Sequence, residues 1–364
     1  MINFDFANVP NNTSVVVYHT GALGDLLVAT AAIFEIINLF PSAEITIIGS
    51  PLWNEIILPL NWPHIKKIIT TNKKFDSLKL YKADEQGLNW IYVKEEKSLK
   101  NLLAKYTIAI DLRSESLRFA YKALLSKVPY RVGASKNKFA AIFFTHFTLL
   151  NKITIVHERD RYLNILSSLN KGYIEKRTLF WQKQGLPALK WFPKNKFENK
   201  LRKIILINPT ASIREKAWDS SRFRELALKL KDDFSDIKII GSPKETEWLM
   251  EVAQKDFQIL QPQNIIELVD IVYNSHLLIT NTSSMQFIAA GTATPTLTLM
   301  GSASPLRWGC LGEGSQCIKN MECVEQIKKF SFSKNKVAKE NEKIAYNHIQ
   351  VSMVLEKVNE VLVN

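Results

Sequence analysis

The sequence predicts two α/β domains in tandem, each a parallel, doubly wound sheet of the Rossmann type. Three observations carry this. The chain has 364 residues, 46% of them hydrophobic, more than one ordinary core takes and about what two need. Short β-branched apolar runs alternate with stretches at helical spacing, the pattern of right-handed βαβ units. The alternation then begins again near residue 203, after a Lys- and Pro-containing stretch.

The first unit sets the grammar. Val15–Tyr18 reads as a buried strand, Gly21 and Gly24 mark a turn, and a helix starts near Asp25 with Ala29, Ala32, Ile33, Ile36 and Ile37 on its apolar face. A strand follows at 44–49, a helix at 53–60, a strand near 67–70, a polar insertion over 72–89, a helix at 97–105 and the strand 106–111. Asp111 and Arg113 close that strand with polar groups. The helical period resumes over 116–125, and 131–133 suggests a short strand. Phe139, Phe143, Phe144 and Phe147 sit in a basic stretch, 136–152, and their spacing favours a helix packed on the sheet over a substrate-facing loop. A helix over 157–169 leads into a linker, roughly 171–200.

The second half opens with the strand 203–208 and the loop Thr210 to Trp218, then a helix over 220–231. Next come a strand ending at Gly241, a helix from Pro243, a helix over 265–273, the strand 277–280, the turn Asn281-Thr282-Ser283-Ser284, a helix over 285–291 and the strand 295–299. The expected division is residues 1–180, 181–345 and a last helix within 346–364 that packs back on the N-terminal domain.

Composition narrows the function. No window approaches the roughly 18 unbroken apolar residues that span a bilayer, and Met1–Phe6 lacks the features of a signal peptide, so a cytoplasmic protein is expected. Forty-eight basic against 35 acidic residues leave a net charge of +13, which suits an anionic partner or reflects a Lys-rich proteome. No arginine-rich tail or aromatic-interleaved basic stripe suggests nucleic acid. Cys310, Cys317 and Cys323 have wide gaps and no histidine among them, so reduced thiols are expected rather than a metal site.

Chemistry concentrates at the strand ends. In open α/β sheets ligands bind beyond the carboxyl ends of strands, which makes Asp25 the first candidate for catalysis, with helix capping as its alternative. Thr210, Ser212 and Lys216, with Ser283 and Ser284 before a second helix, are a hydroxyl and ammonium set suited to phosphate; capping by Ser and Thr is again the alternative. No P-loop pattern occurs.

These segments in order, Gly21 to Thr30, Asp111 to Ser114, Pro209-Thr210 through Lys216-Ala217-Trp218, and Asn281 to Ser284 with Ile288 to Pro295, resemble the ADP-heptose:lipopolysaccharide heptosyltransferase family, glycosyltransferase family 9. The resemblance implies a GT-B type fold, two Rossmann-like domains facing across a cleft. It also implies a metal-independent, inverting transfer of a heptose from an ADP-sugar to a lipopolysaccharide inner-core or related surface-glycan acceptor. No cofactor is implied beyond the nucleotide-sugar, and the acceptor is an anionic glycolipid met in peripheral contact with the inner membrane.

By the same resemblance Asp25 is the general base. Thr210, Ser212, Lys216, Gly241, Asn281, Thr282, Ser283 and Ser284 form the donor side. Gly21, Leu23, Gly24, Asp111 and Arg113 form the acceptor side. The chain departs from the family pattern at Thr282, where an aspartate is expected, at Ser284, where a glycine is, and at Phe287, where a histidine is. The departure leaves the donor sugar open, and with it a non-catalytic or altered-donor relative acting in binding or assembly.

Overall fold

The computed structural model describes residues 13–60, 62–71, 75, 77–83, 90–95, 98–113, 117–150, 156–188, 203–233, 236–319 and 345–363. The chain divides into two compact units, Met1–Gln182 and Lys183–Asn364.

The first unit contains β1 (Ser14–His19), α1 (Leu23–Leu39), β2 (Glu44–Gly49), α2 (Trp53–Leu60), β3 (Ile65–Thr71), β4 (Leu78–Ala83), β5 (Trp90–Glu95), α3 (Leu99–Leu103), β6 (Ile108–Asp111), α4 (Arg118–Leu125), β7 (Tyr130–Ser135), β8 (His146–Leu149), α5 (Glu158–Ile165) and α6 (Lys171–Gln184). Its sheet runs β5-β4-β3-β2-β1-β6-β7-β8. The pairs from β3 through β1 to β8 are parallel, while β4 and β5 are antiparallel.

That antiparallel edge replaces the polar insertion read over 72–89. Leu78 and Leu80 alternate with Lys79 and are buried beside Leu99, Leu102 and Phe119, which is enough apolar area to recruit the short strand β4 between β3 and β5. Residues 72–74, 76 and 84–89 of that stretch lie outside the described residues.

Two further expectations change. Of the aromatic stretch 136–152, residues 151 and 152 lie outside the described residues, and the rest holds a 3-10 turn over Lys138–Phe143 and the strand β8, not a packed helix; Phe139 and Ile142 face outward, and of its four phenylalanines Phe144 alone is buried. Its phenylalanines at 143, 144 and 147 mimic helical spacing, but a crossover this short has no length for an α-helix. The first half of the expected linker is α6. The buried carboxylate of Glu35 on α1 holds it there, accepting from Tyr173 Oη (2.6 Å), Arg177 Nε (2.9 Å) and Trp181 Nε1 (2.7 Å).

The second unit contains β9 (Ile204–Asn208), α7 (Ser220–Asp233), β10 (Asp236–Ile240), α8 (Thr246–Ala253), β11 (Gln258–Leu260), α9 (Ile265–Tyr273), β12 (Leu277–Asn281), α10 (Met285–Gly291), β13 (Thr296–Leu299), α11 (Pro305–Trp308), β14 (Gln316–Ile318) and α12 (Val351–Val363). Its parallel sheet runs β11-β10-β9-β12-β13-β14. The last helix packs within the second unit. Val351, Val354 and Val358 of α12 join Phe223, Leu226 and Leu230 of α7 and Ile205 of β9 in one buried cluster, because α7 leaves an apolar face that only another helix covers.

Each sheet reverses its winding once. From β1 the chain builds one edge through β2 and returns to the other side with β6; from β9 it builds through β10 and returns with β12. The two switch points are where such sheets open a crevice for ligand. Among the described residues no helix is long and apolar enough to cross a membrane.

Candidate active site

At the first switch point, β1 and β6 lie in register with Tyr18 opposite Asp111, so the segments after His19 and after Asp111 leave the sheet side by side. Leu23, Gly24 and Asp25 are the first three residues of α1. The N–H of Ala22 donates to Asp25 Oδ2 at 3.0 Å, which caps the helix through one carboxylate oxygen. Asp25 remains half-buried rather than enclosed. Gly21 makes this possible: a Cβ there would stand 2.6 Å from Asp25 Cβ and 2.8 Å from Oδ2. The cap fixes the direction of the carboxylate at the carboxyl end of β1.

Asp111 is buried, and its Oδ1 accepts from the N–H of Arg113 at 2.9 Å, turning the chain and bringing Arg113 to the switch point. The structure adds residues that the sequence did not single out. His19 is fully buried, and neither ring nitrogen has a hydrogen-bond partner among the described residues. Burial, helped by the nearby Arg113 and Arg161 cations, pushes its pKa down to about 3, so the ring is neutral. It meets the ring of Tyr162 edge-on at 5.0 Å.

The Tyr162 phenol is buried as well, and burial raises its pKa while the carboxylates of Asp25 and Glu158 push the same way. Arg161 lies 4.8 Å over the Tyr162 ring and is paired with Glu158 (Nε to Oε2, 2.5 Å). Tyr162 and Arg161 come from α5, far along the chain, and no local pattern marks them.

At the second switch point, Thr280 of β12 lies opposite Asn208 of β9. The Asn208 amide donates to Ile240 O (2.8 Å) and Thr210 Oγ1 (3.1 Å), and its carbonyl accepts from Thr280 Oγ1 (3.0 Å). Thr280 in turn meets Ser283 Oγ at 3.1 Å, which accepts from the N–H of Met285 at 3.2 Å. One buried network thus ties the ends of β9, β10 and β12. Asn208 carried the same signal as Asp111, a polar residue closing an apolar strand.

Asn281 belongs to the frame rather than to an open surface. It is fully buried; its Oδ1 accepts from Trp218 N–H (2.9 Å), and its Nδ2 donates to Pro209 O (2.8 Å) and Thr210 O (3.3 Å). Thr210 is buried too, and Gly241 directly follows β10 at a point where a Cβ would stand 2.7 Å from Leu249 Cδ2. Ser212 and Lys216 are exposed, while Thr282, Ser283 and Ser284 are half-buried. Lys216 sits on a 3-10 turn, Arg214–Lys216, whose ends are fixed by the N–H of Lys216 on Ile213 O and that of Ala217 on Arg214 O.

Thr282 Oγ1 points at Leu299 O at 3.5 Å, and Phe287 is buried with its ring 6.5 Å from that of Trp308. Ser114 and Cys323 lie outside the described residues. Cys310 and Cys317 are free thiols with sulfurs 3.2 Å apart; their hydrogen bond holds Cys317 towards thiolate and pushes Cys310 up. Among the described residues no group of three or more His, Cys, Asp and Glu is arranged to hold a metal ion.

A family model for glycosyltransferase family 9 (heptosyltransferase) matches residues 96–337, more than half of the chain. The chain belongs to glycosyltransferase family 9. The matched segment takes in Asp111, Arg113 and the whole second switch point and starts after the Asp25 loop.

Among solved structures, similar folds include the glycosyl transferase family 9 from Veillonella parvula DSM 2008, 18% identical, covering 97% of this chain and 99% of that one, TM-score 0.67. The E. coli ADP-heptose lps heptosyltransferase II has the same identity and TM-score, with 96% and 98% covered. E. coli heptosyltransferase WaaC, solved with ADP, is 15% identical over 96% and 100%, TM-score 0.62. No curated protein matches the sequence. The fold is thus the GT-B type of these family 9 transferases, and the chain is a glycosyltransferase.

Proposed function

We propose that this family 9 chain transfers a sugar from an ADP-activated donor to a lipid-linked, anionic surface-glycan acceptor of the lipopolysaccharide kind, with inversion. The observation that carries the reading is the placement of Asp25 at the β1/β6 switch point, capped through one oxygen and half-buried. As the acceptor hydroxyl attacks the anomeric carbon it must lose a proton, and a carboxylate held at a strand end is suited to take it. Arg113 supplies positive charge that suits an anionic acceptor, while the Arg161 charge is matched by Glu158 and the buried His19 stays neutral.

On the other side of the reaction, negative charge grows on the β-phosphate of the leaving ADP. The exposed Lys216 ammonium and the Ser212, Ser283 and Ser284 hydroxyls, framed by Asn208, Thr210, Gly241 and Asn281, stabilise that charge without a metal. The reading of heptose as the donor sugar draws on the likeness to the E. coli ADP-heptose lps heptosyltransferase II. The altered-donor reading has one specific support. The aspartate position is Thr282, whose hydroxyl turns to a backbone carbonyl, and the histidine position is a buried phenylalanine, so the sugar's hydroxyls meet a different set of partners.

The test is ADP release with a panel of ADP-sugars and an inner-core glycolipid acceptor, run with and without a chelator. Acceptor-dependent release with ADP-heptose, unchanged by chelator, is expected. Release with another ADP-sugar alone would reassign the donor, and no release or binding of any ADP-sugar would sink the transferase reading for this chain.

A further inference from the structure

Folded surfaces usually scatter their large apolar side chains, and one surface of the first unit does not. After β7 the chain turns through Lys136 and Asn137 into the 3-10 turn Lys138–Phe143, whose tip presents Phe139 and Ile142, each 71% exposed and more so than any other large apolar side chain described. Beside it on α4, Tyr121 and Leu125 stand one helical turn apart, 46% and 42% exposed, and Tyr121 meets Phe143 edge-on at 6.2 Å. Lysines border the patch: Lys122 on α4, Lys136, and Lys138, whose ammonium lies 5.7 Å from the Phe139 ring centroid.

The charge is one-sided. From Arg118 to Leu150 the chain carries six basic residues and no Asp or Glu. Lys136 leaves β7 at the carboxyl edge of the sheet, one strand from where Asp111 and Arg113 leave β6.

We propose that this surface is a docking face for a bilayer containing anionic phospholipid, with Phe139 and Ile142 inserting at the headgroup boundary and Lys122, Lys136 and Lys138 on lipid phosphates. Aromatic and aliphatic tips with lysine flanks are the combination that holds a protein at an interface without spanning it, because apolar burial and headgroup attraction each add a part. A second copy of the chain is a poor occupant, since a self-complementary contact would set lysines against lysines. The proposal rests on the reading that the acceptor is lipid-linked: docking by the face next to Asp111 and Arg113 brings that acceptor to the site.

The test is co-sedimentation of the full chain with vesicles containing phosphatidylglycerol and, separately, with pure phosphatidylcholine vesicles. Binding to the first, weakened by salt, is expected. Phe139→Ser with Ile142→Ser lowers it at least tenfold, and Lys136→Glu with Lys138→Glu removes the preference for the anionic lipid, while circular dichroism stays unchanged because all four side chains are exposed. Binding undiminished by both variants, or absent in the unaltered chain, overturns the proposal. A variant that changes the oligomeric state while leaving vesicle binding intact also overturns it and gives the face to a protein contact. Vesicle binding needs no turnover, so a chain that docks through this face and releases no ADP counts against the transferase reading alone.

Discussion

Asp25 does two things with one carboxylate, and substitutions separate them. Asn at this position keeps an oxygen for the Ala22 N–H and loses the charge. Asp25→Asn is therefore expected to preserve the thermal midpoint within a few degrees and to lower kcat by about 10²–10⁴, the usual worth of a positioned general base. A kcat within threefold of the unaltered enzyme would remove Asp25 from the chemistry. The residue types at this loop were readable in the sequence; the hydrogen bond that aims the carboxylate was not.

His19 makes a residue-scale prediction about stability. Its pKa is about 3 in the fold against about 6.5 unfolded, so the unfolded chain binds the extra proton between those values. The depressed pKa means that its contribution is complete above about pH 6.5 and is lost as the pH falls towards 3, with a slope of up to about 1.4 kcal/mol per pH unit. His19→Phe keeps a ring against Trp53 and Tyr162 and cannot titrate. Urea midpoints measured from pH 7 to pH 4 are expected to fall less steeply in this variant, and identical slopes would show that the ring is not buried as described. Nothing in the sequence set His19 apart from its apolar neighbours, because its isolation depends on α5, which arrives from more than 130 residues away.

At the scale of elements, α6 is joined to α1 through Glu35. A carboxylate with no exposed surface, held by a phenol, a guanidinium and an indole and at longer range by the Asn38 amide, is stable only while these partners stay. The phenol reports the arrangement, as burial and then the Glu35 hydrogen bond push the pKa of Tyr173 up to about 12. Glu35→Ala is expected to destabilise the first unit by about 3–5 kcal/mol, because Arg177 and the Trp181 N–H lose their acceptor. Chemical denaturation followed by Trp fluorescence reads this, and a loss below about 1 kcal/mol would mean that α6 is held by packing alone.

The same element explains a misreading of the sequence. Residues 171–184 lack a clear apolar stripe and read as linker, yet polar side chains, not apolar ones, fasten this helix. The strand β4 was missed for the opposite reason, since a short alternation next to a sheet edge leaves too little pattern to stand out among lysines. The aromatic spacing at 136–152 misled in a third way, by imitating a helix period on a turn and a strand.

Across the whole molecule, the proposed function divides the labour between the two switch points, with proton removal proposed for the first unit and leaving-group stabilisation for the second. Lys216→Ala is accordingly expected to weaken ADP binding more than tenfold, the equivalent of about 1.5–3 kcal/mol for a charge-assisted hydrogen bond. Asp25→Asn is expected to leave ADP affinity within twofold. Calorimetry with ADP checks both, and equal losses in the two variants would break the division.

The sequence by itself determined the class of fold and the two halves, and it marked the strand ends where polar residues collect. Those depend on local periodicity and on residue types at a turn, which a chain displays before it folds. Only the tertiary structure decided that β1 pairs with β6 and β9 with β12, which sets the loop after His19 beside the one after Asp111 and, through the Trp218 N–H on Asn281 Oδ1, ties the loop from Thr210 to Trp218 to the end of β12. It also decided that Asn281 braces the β9 loop, that His19 stays neutral and that α12 covers α7. Pairing, desolvation and the sharing of buried hydrogen bonds are set by segments distant in the chain, and no local pattern encodes which of them will meet.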